Sequence, residues 1–446
     1  AGGLPLLAAY TQIFMTGAGD FIIAFFPLFM LGAIFGKLME DSGSAKSIAQ
    51  SVIARLGPQR AIMAVVLCCG VLTYGGVSLF VVAFALFPVA AALFRDADIP
   101  KRLIPGTLAL GAFTFTMSAL PGTPAIQNAI PMPFFGTTAF AAPGLGIITG
   151  IIMFLLGTAW LMRRSAKARS ADEGYGAHDD NLPVPDGVMR EHAQNCGFDL
   201  NELTDEHSDA AGLPSFWLAL APVVIVIGVN FAFIHFLVPM MRTDFLAEPR
   251  FGATTIENVR GVWAIIAALF LAILFLALSN RSRFESLTNS LNHGADAAVL
   301  PIFNVASLVG FGAVIAALPA FDMIRDAVLS IGAGNPLISL AAAVNVLSAL
   351  TGSASGGMSI ALDALGPTYV QMAYDYGISL DAMHRVTAVA SGALDALPHN
   401  GAVITILSIC KLSHREAYFD VFVVAVVVPL ISLAALILLA TLFGSF

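Results

Sequence analysis

Asp395 and His399 stand four residues apart around Pro398, in the run Ser391-Gly392-Ala393-Leu394-Asp395-Ala396-Leu397-Pro398-His399-Asn400. A carboxyl and an imidazole in a broken apolar helix can carry a proton across it, because the protonation of both groups responds to burial near neutral pH. The same pair also suits the capping of freed backbone groups, and both readings stand at this point. A second set of residues has the chemistry of anion binding: Tyr74, Gly75, Gly76 and Ser78; Ser118, Gly122, Thr123 and Asn128; Thr351, Gly352, Ser353 and Ser355; and His399 with Asn400. Hydroxyls, amides and the free N–H groups of half-helix N-termini hold a carboxylate, and glycines let backbone approach it closely. The competing reading of the Gly, Ser and Thr positions is tight helix packing. No Lys or Arg falls in the expected membrane core between these segments, which leaves a carboxylate to dipoles, hydroxyls and His399.

Long apolar helices must position these residues. Of 446 residues, 58% are hydrophobic and only 11% charged, a composition that excludes an ordinary soluble domain and points to an all-α polytopic membrane protein. Stretches long enough to span run over 21–40, 143–162, 215–240, 261–279, 298–320 and 418–443. Two more, 103–135 and 385–410, are interrupted at their centres by Pro, Gly and polar residues. The runs 61–94 and 336–366 carry Gly-rich midpoints, and each half, at about 15 residues or roughly 22 Å, is too short to cross. They are expected to be re-entrant hairpins.

Charge supplies an orientation. With the 163–213 linker placed in the cytoplasm, the inside loops hold 16 of the 21 Lys and Arg, and Arg242, Arg250, Arg260, Arg325 and Arg385 remain outside. The linker holds 11 acidic and 5 basic side chains and so accounts for most of the net charge of -8. There is no basic face for nucleic acid. The linker is long for a connection and is expected to be mobile, with the Gly197-to-Glu206 stretch able to form an interfacial helix.

A fixed offset of 277 residues lays Ala119-Leu120-Pro121-Gly122-Thr123-Pro124-Ala125-Ile126 on Ala396-Leu397-Pro398-His399-Asn400-Gly401-Ala402-Val403, Gly75 and Ser78 on Gly352 and Ser355, and Gly17-Ala18 on Gly294-Ala295. In the charge-derived topology these halves run oppositely, as in secondary transporters built from inverted repeats. The expected organisation is a first inverted repeat over 1–162, with an upstream helix missing; an acidic cytoplasmic linker over 163–213; a connecting helix and external loop over 214–260; and a second repeat over 261–446. Gly17-Ala18-Gly19-Asp20 fits the G-x-G-D string of intramembrane aspartyl proteases, but its repeat partner suggests a structural turn before a helix. The four cysteines, Cys68, Cys69, Cys196 and Cys410, form no metal or disulfide pattern. No P-loop or hydrolase motif occurs, so neither an enzyme nor a cofactor or metal is expected.

The stretches Ser118-to-Asn128 and Ser391-to-Thr405 resemble the gluconate permease (GntP) family and related citrate-type permeases of the ion transporter superfamily. Leu31-Gly32-Ala33-Ile34-Phe35-Gly36-Lys37 and Lys411-to-Tyr418 fit the same resemblance. It implies a multi-pass transporter of the bacterial inner membrane that moves a small organic anion, a hydroxy-carboxylate or sugar acid, in symport with protons. It also implies elevator movement of a transport domain against an oligomeric scaffold, taken here as a homodimer. Gly122-Thr123-Pro124 and Asn128 are similar to the Gly-Thr-Pro-Pro-Asn stretch of dicarboxylate/sodium symporters, yet the paired Ser-Asn-Thr signatures of those carriers are absent from both hairpin tips. Sodium coupling is the alternative, and an ion channel or passive pore is the rival of another class.

Overall fold

The structure is a computed structural model that describes residues 3–182, 212–332 and 334–446. The Gly197-to-Glu206 stretch lies outside the described residues. The described chain is helical, and seven helices are long and apolar enough to cross a membrane. The first, α1 (Leu6–Asp41), is followed by the short amphipathic α2 (Ser44–Leu56). Next come α3 (Ala61–Tyr74) and α4 (Leu79–Asp96), packed on each other across the turn Gly75–Ser78. A broken segment follows: α5 (Ile104–Ala112), then the short α6 (Phe115–Ser118), α7 (Ile126–Ala129) and α8 (Pro131–Phe135). The first half closes with α9 (Pro143–Ser170), which continues as one helix past the expected linker start at 163.

The second half contains α10 (Phe216–Met240), α11 (Ile256–Ser279), α12 (Leu287–Ala316, bent at Ala298) and α13 (Phe321–Ser330). Then α14 (Pro336–Thr351) and α15 (Ala354–Tyr376) form another helix pair. A second broken segment, α16 (Leu380–Ser391) and α17 (Gly401–Ile409), leads to α18 (His414–Phe443).

The helix pairs differ in one respect from the expectation of halves of equal length. Their first arms, α3 and α14, have 14 and 16 residues, about 21 and 24 Å, but the second arms α4 and α15 have 18 and 23, about 27 and 35 Å. The helices do not stop where the apolar run does. Arg95-Asp96 prolongs α4, and Thr368-Tyr369-Val370-Gln371-Met372 carries α15 onward to its left-handed cap at Gly377, held by the packing of buried Tyr369 and Ala373 rather than by propensity.

The glycines of the 277 offset also prove different from expectation. Gly17 and Gly294 lie inside α1 and α12 rather than in turns. These two helices pack on each other, and α1 also packs on α11. A methyl group added to Gly17 would sit 3.1 Å from Ala313 Cβ, and one added to Gly294 would sit 2.7 Å from the Ile34 Cα. Both glycines therefore permit close backbone approach at a helix crossing.

The head of the linker is docked. Arg102 holds Glu173 through Nε at 2.6 Å and Nη2 at 2.9 Å, and its Nη1 reaches Asp420 at 3.0 Å. Asp420, almost fully buried, also accepts from Arg164 Nε at 2.8 Å and Trp160 Nε1 at 3.0 Å. Lys101 donates to the Asp179 carbonyl at 3.0 Å and pairs with Asp180, whose carboxylate also meets Arg95 and the Tyr175 hydroxyl. Lys411 binds Asp179 at 2.5 Å. The Arg102 hydrogen bond holds the Glu173 carboxyl below its ordinary range, and the Lys411 bond does the same for Asp179.

Candidate functional site

Each helix-pair tip meets one broken segment. At the first tip, the Tyr74 hydroxyl donates to the Pro121 carbonyl at 2.7 Å. Gly76, at φ +99°, faces Pro124 so closely that a Cβ would lie 2.8 Å from its ring, and a Cβ on Gly75 would strike Val223 of α10 at 2.6 Å. Ser78 caps α4, its Oγ accepting from Phe80 N. In the facing break, Gly122 takes φ +83° and donates its N–H to the Ala139 carbonyl at 2.8 Å; a side chain there would collide with Phe140. Thr123 Oγ1 accepts from Ala125 N at 3.3 Å.

Behind this break lies a network that the sequence did not reveal. Asn128 Nδ2 donates to the carbonyls of Thr123 and Ala139, both at 3.0 Å, which turns Oδ1 toward Arg385 Nη1 at 3.0 Å and His384 Nε2 at 3.1 Å. With Nε2 donating, His384 Nδ1 accepts from the Thr137 hydroxyl at 2.6 Å. Arg385 also donates to the carbonyls of Ser118, Ala139 and Ala141. Arg385 and His384 are fully buried. Charge counting had put Arg385 in an external loop. Ser379, whose Oγ accepts from Asp381 N, is the helix-start signal that places Arg385 in the second turn of α16 instead.

At the second tip, Asn400 Nδ2 donates to the Gly352 carbonyl at 2.6 Å, while its Oδ1 caps α17 by accepting from Ala402 N at 2.6 Å and Val403 N at 3.1 Å. Gly352 occupies the left-handed region at φ +61°. Thr351 returns its hydroxyl to the Leu347 carbonyl, and Ser353 caps α15 through Gly356 N, with Ser355 Oγ 3.4 Å away. His399 is exposed, its Nε2 lying 2.9 Å from the Ala349 carbonyl. The carbonyls of Pro398 and Ala396 accept from His414 Nε2 at 2.9 Å and the Tyr418 hydroxyl at 3.2 Å. Asp395 is half-buried in the break, and among the described residues no other side chain hydrogen-bonds or pairs with its carboxylate.

The two tip-and-break pairs touch. Ser118 Oγ would lie 3.7 Å from a Cβ on Gly392. Ser355, from the second tip, helps line a cavity of about 200 Å³ at the first. Thr73, Gly76, Ser78 and Gln127 form its hairpin and break side, and Gly32, Gly36 and Lys37 of α1 with Ala297, Ala298 and Pro301 of α12 form the opposite wall. Thr73 Oγ1 is buried and lacks a hydrogen-bond partner among the described residues. Of the residues singled out from sequence, Gly76, Ser78 and Ser355 line the cavity. Tyr74, Gly75, Ser118, Gly122, Thr123 and Asn128 shape the first tip and break without lining it. Thr351, Gly352, Ser353, Asp395, His399 and Asn400 belong to the second pair. Lys37, one of the 16 cations counted to the inside loops, is buried at the cavity wall, its Nζ 3.2 Å from Asp41 and 3.8 Å from Glu40.

Comparison with known proteins agrees with this architecture. Residues 1–442 match the GntP family permease profile. The chain is 42% identical over 428 residues to the uncharacterized transporter YxjC of Bacillus subtilis, covering 95% of this chain and 87% of that one. A shorter match, 34% identical over 103 residues, covers 22% of this chain and 23% of the high-affinity gluconate transporter of Escherichia coli. Among solved structures, Neisseria gonorrhoeae MtrF, described as illuminating a class of antimetabolite efflux pumps, aligns over 98% of this chain and 84% of its own with a TM-score of 0.58 at 13% identity. The Alcanivorax borkumensis YdaH transporter aligns over 99% and 89% with a TM-score of 0.53 at 15% identity. At those identities the likeness is one of fold. The chain belongs to the GntP permease family and is a multi-pass membrane transporter, not an enzyme.

Proposed function

We propose that this transporter carries a small organic anion, a hydroxy-carboxylate or sugar acid, by alternating access, with the cavity at the first hairpin tip as the substrate site. The observation that carries the reading is the make-up of that cavity. It combines the N-terminus of the 18-residue α4 with a buried Thr73 hydroxyl and, among the described residues, no hydrogen-bond partner for that hydroxyl and no lining carboxylate. A helix N-terminus and an unused hydroxyl suit a carboxylate. The gluconate transporter among its relatives supports an organic acid of this class.

Inverted repeats and elevator movement are part of the proposal. Positions 277 apart do the same work: Thr123 and Asn400 each accept from the N–H two residues on, and the carbonyls of Pro121 and Pro398 each accept from a side chain outside the break. The cavity divides the hairpins and breaks from α1 and α12, which supports a mobile unit moving against a scaffold. In this reading the scaffold forms a homodimer in the bacterial inner membrane, with the linker cytoplasmic. Asp395, whose carboxylate no other side chain among the described residues engages, carries the coupling proton, assisted by His399.

Sodium coupling is a second reading that one observation favours. Asn345 Oδ1, Ser348 Oγ, Ser359 Oγ and Thr405 Oγ1, on α14, α15 and α17, are buried oxygens without hydrogen-bond partners among the described residues, and sodium takes oxygen ligands. Proteoliposomes decide between them. Uptake of gluconate, lactate, 3-hydroxybutyrate or citrate driven by an imposed pH gradient supports proton symport. Uptake that ignores the pH gradient and requires sodium replaces it with the second reading. Conductance far above carrier rates without counterflow leaves only a pore.

A further inference from the structure

We propose that Arg385 supplies the electrostatic selectivity of the site for anions, acting as a positioning and charge-bearing residue behind the cavity wall rather than as a direct ligand. The inference rests on the cavity being the substrate site.

Three observations carry it. First, the five N–H groups of the guanidinium have five acceptor contacts, and all of the acceptors are neutral: the Ser118 carbonyl and Asn128 Oδ1 from Nη1, the Ala139 and Ala141 carbonyls from Nη2, and the Ala141 carbonyl again from Nε. The group is hydrogen-bonded, but among the described residues no carboxylate lies within ion-pair distance, so its charge is not cancelled. Second, it stands next to the wall. Its partners Ser118 and Asn128 are the chain neighbours of Met117 and Gln127, which line the cavity. Third, the other buried cation at this site has its counter-charges on its own helix, Lys37 with Asp41 and Glu40. Of these two cations, Arg385 is the one left to bias the cavity toward negative ligands. A buried charge keeps its reach, since salt screens it far less than a surface charge.

The acidic group whose charge reaches Arg385 is Asp381, one turn earlier on α16, and Asp381 also faces Arg260. Tyr74 and His384 complete the titratable surroundings. The fork geometry explains why arginine occupies the position: a lysine has three donors and cannot serve four acceptors spread over residues 118–141.

The test uses the full-length transporter in detergent and in proteoliposomes, with gluconate, lactate, 3-hydroxybutyrate and citrate as probes. Arg385→Gln should raise KM about tenfold for whichever acid the wild type carries, the size expected when a unit charge a few residues away is lost at an intermediate dielectric. Vmax should fall much less. Asp381→Asn removes the partial counter-charge at a half-buried helix start, and should tighten binding of the same acid about threefold. A purely structural role for Arg385 gives no reason for that gain. Unchanged KM in folded Arg385→Gln overturns the proposal, and so does unchanged or weaker binding in Asp381→Asn, which decides the matter even where the first variant does not fold. A wild type that binds none of the four acids removes the substrate-site reading and this inference with it. Binding by the wild type with no response in either variant removes this inference alone.

Discussion

Positions 277 residues apart in the two broken segments differ where charge is concerned. Ser118 in the first break corresponds to Asp395 in the second, Gly122 to His399, and Leu108 to Arg385. The first break has a buried hydroxyl, a glycine at φ +83° and an apolar residue; the second has a carboxylate, an imidazole and a guanidinium. Their surroundings differ as much. The first break is wrapped by Asn128, His384, Thr137 and Arg385, whereas the second is held by Asn400, His399, His414 and Tyr418 while its acidic group stays unengaged. Moreover, the arginine of the second break's leading helix reaches across to the first. The comparison teaches that two similar breaks can be held differently: one is tied by a buried arginine beside the cavity, and the other carries a carboxylate that no other described side chain engages.

The sharpest way to break that comparison is Asp395→Asn. It should abolish pH-driven accumulation in proteoliposomes while substrate exchange persists, and normal accumulation would return both breaks to the same role. Next in size is Thr73→Val. Because the hydroxyl has no hydrogen-bond partner among the described residues, an apolar isostere should leave the melting temperature within a degree or two while weakening the affinity for the carried acid about fivefold. An unchanged affinity would remove Thr73 from the site. Gly122→Ala should destabilise the protein by about 2 kcal/mol, since it combines a left-handed backbone with a collision at Phe140. By contrast, His399→Ala, at an exposed position with one hydrogen bond, should change stability by less than about 1 kcal/mol. Equal effects in thermal unfolding would show that the two breaks are equally rigid.

The smallest effect concerns the linker head. Glu173→Gln should weaken its docking by roughly 0.5 kcal/mol, because the pair is partly exposed. The pH dependence has a definite sign. The folded Glu173 carboxyl is held below its ordinary value of 4.5, so its contribution is complete above pH 4.5 and is lost as pH falls through the depressed folded value. A spin label at Ala177 should therefore gain mobility below pH 4.5, and gain it already at neutral pH in the Glu173→Gln protein.

Much of this arrangement was legible in the sequence, for identifiable reasons. Gly-rich midpoints in apolar runs and Pro-Gly or Pro-His interruptions mark places where a helix cannot continue, so the turns at Gly75–Ser78 and Gly352–Ser353 and the two breaks fell where expected. Helix ends were less legible: α9 continues through Arg, Lys and Ala of good helix propensity that hydropathy alone does not register, and α15 continues because Tyr369 and Ala373 find buried packing. Lys37 and Arg385 escaped because charge counting assigns every cation near a segment end to a loop. That rule contains nothing about three carbonyls and an amide oxygen supplied to Arg385 from more than two hundred residues away. Gly17 and Gly294 have the composition of turns, yet they serve as contacts between crossing helices, a distinction that only the partner helix defines.

The long reach of Arg385 also bears on how the protein is made. Its acceptors at Ala139 and Ala141 precede it by 246 and 244 positions. During synthesis the first half must therefore wait, with those carbonyls lacking their final donor, until α16 has been translated and inserted. Neither half can complete its polar core alone, because one lacks the cation and the other lacks the carbonyls that make its burial tolerable. Maturation is thus a single late event, and the two halves expressed as separate chains should be substrates for membrane quality control until they find each other.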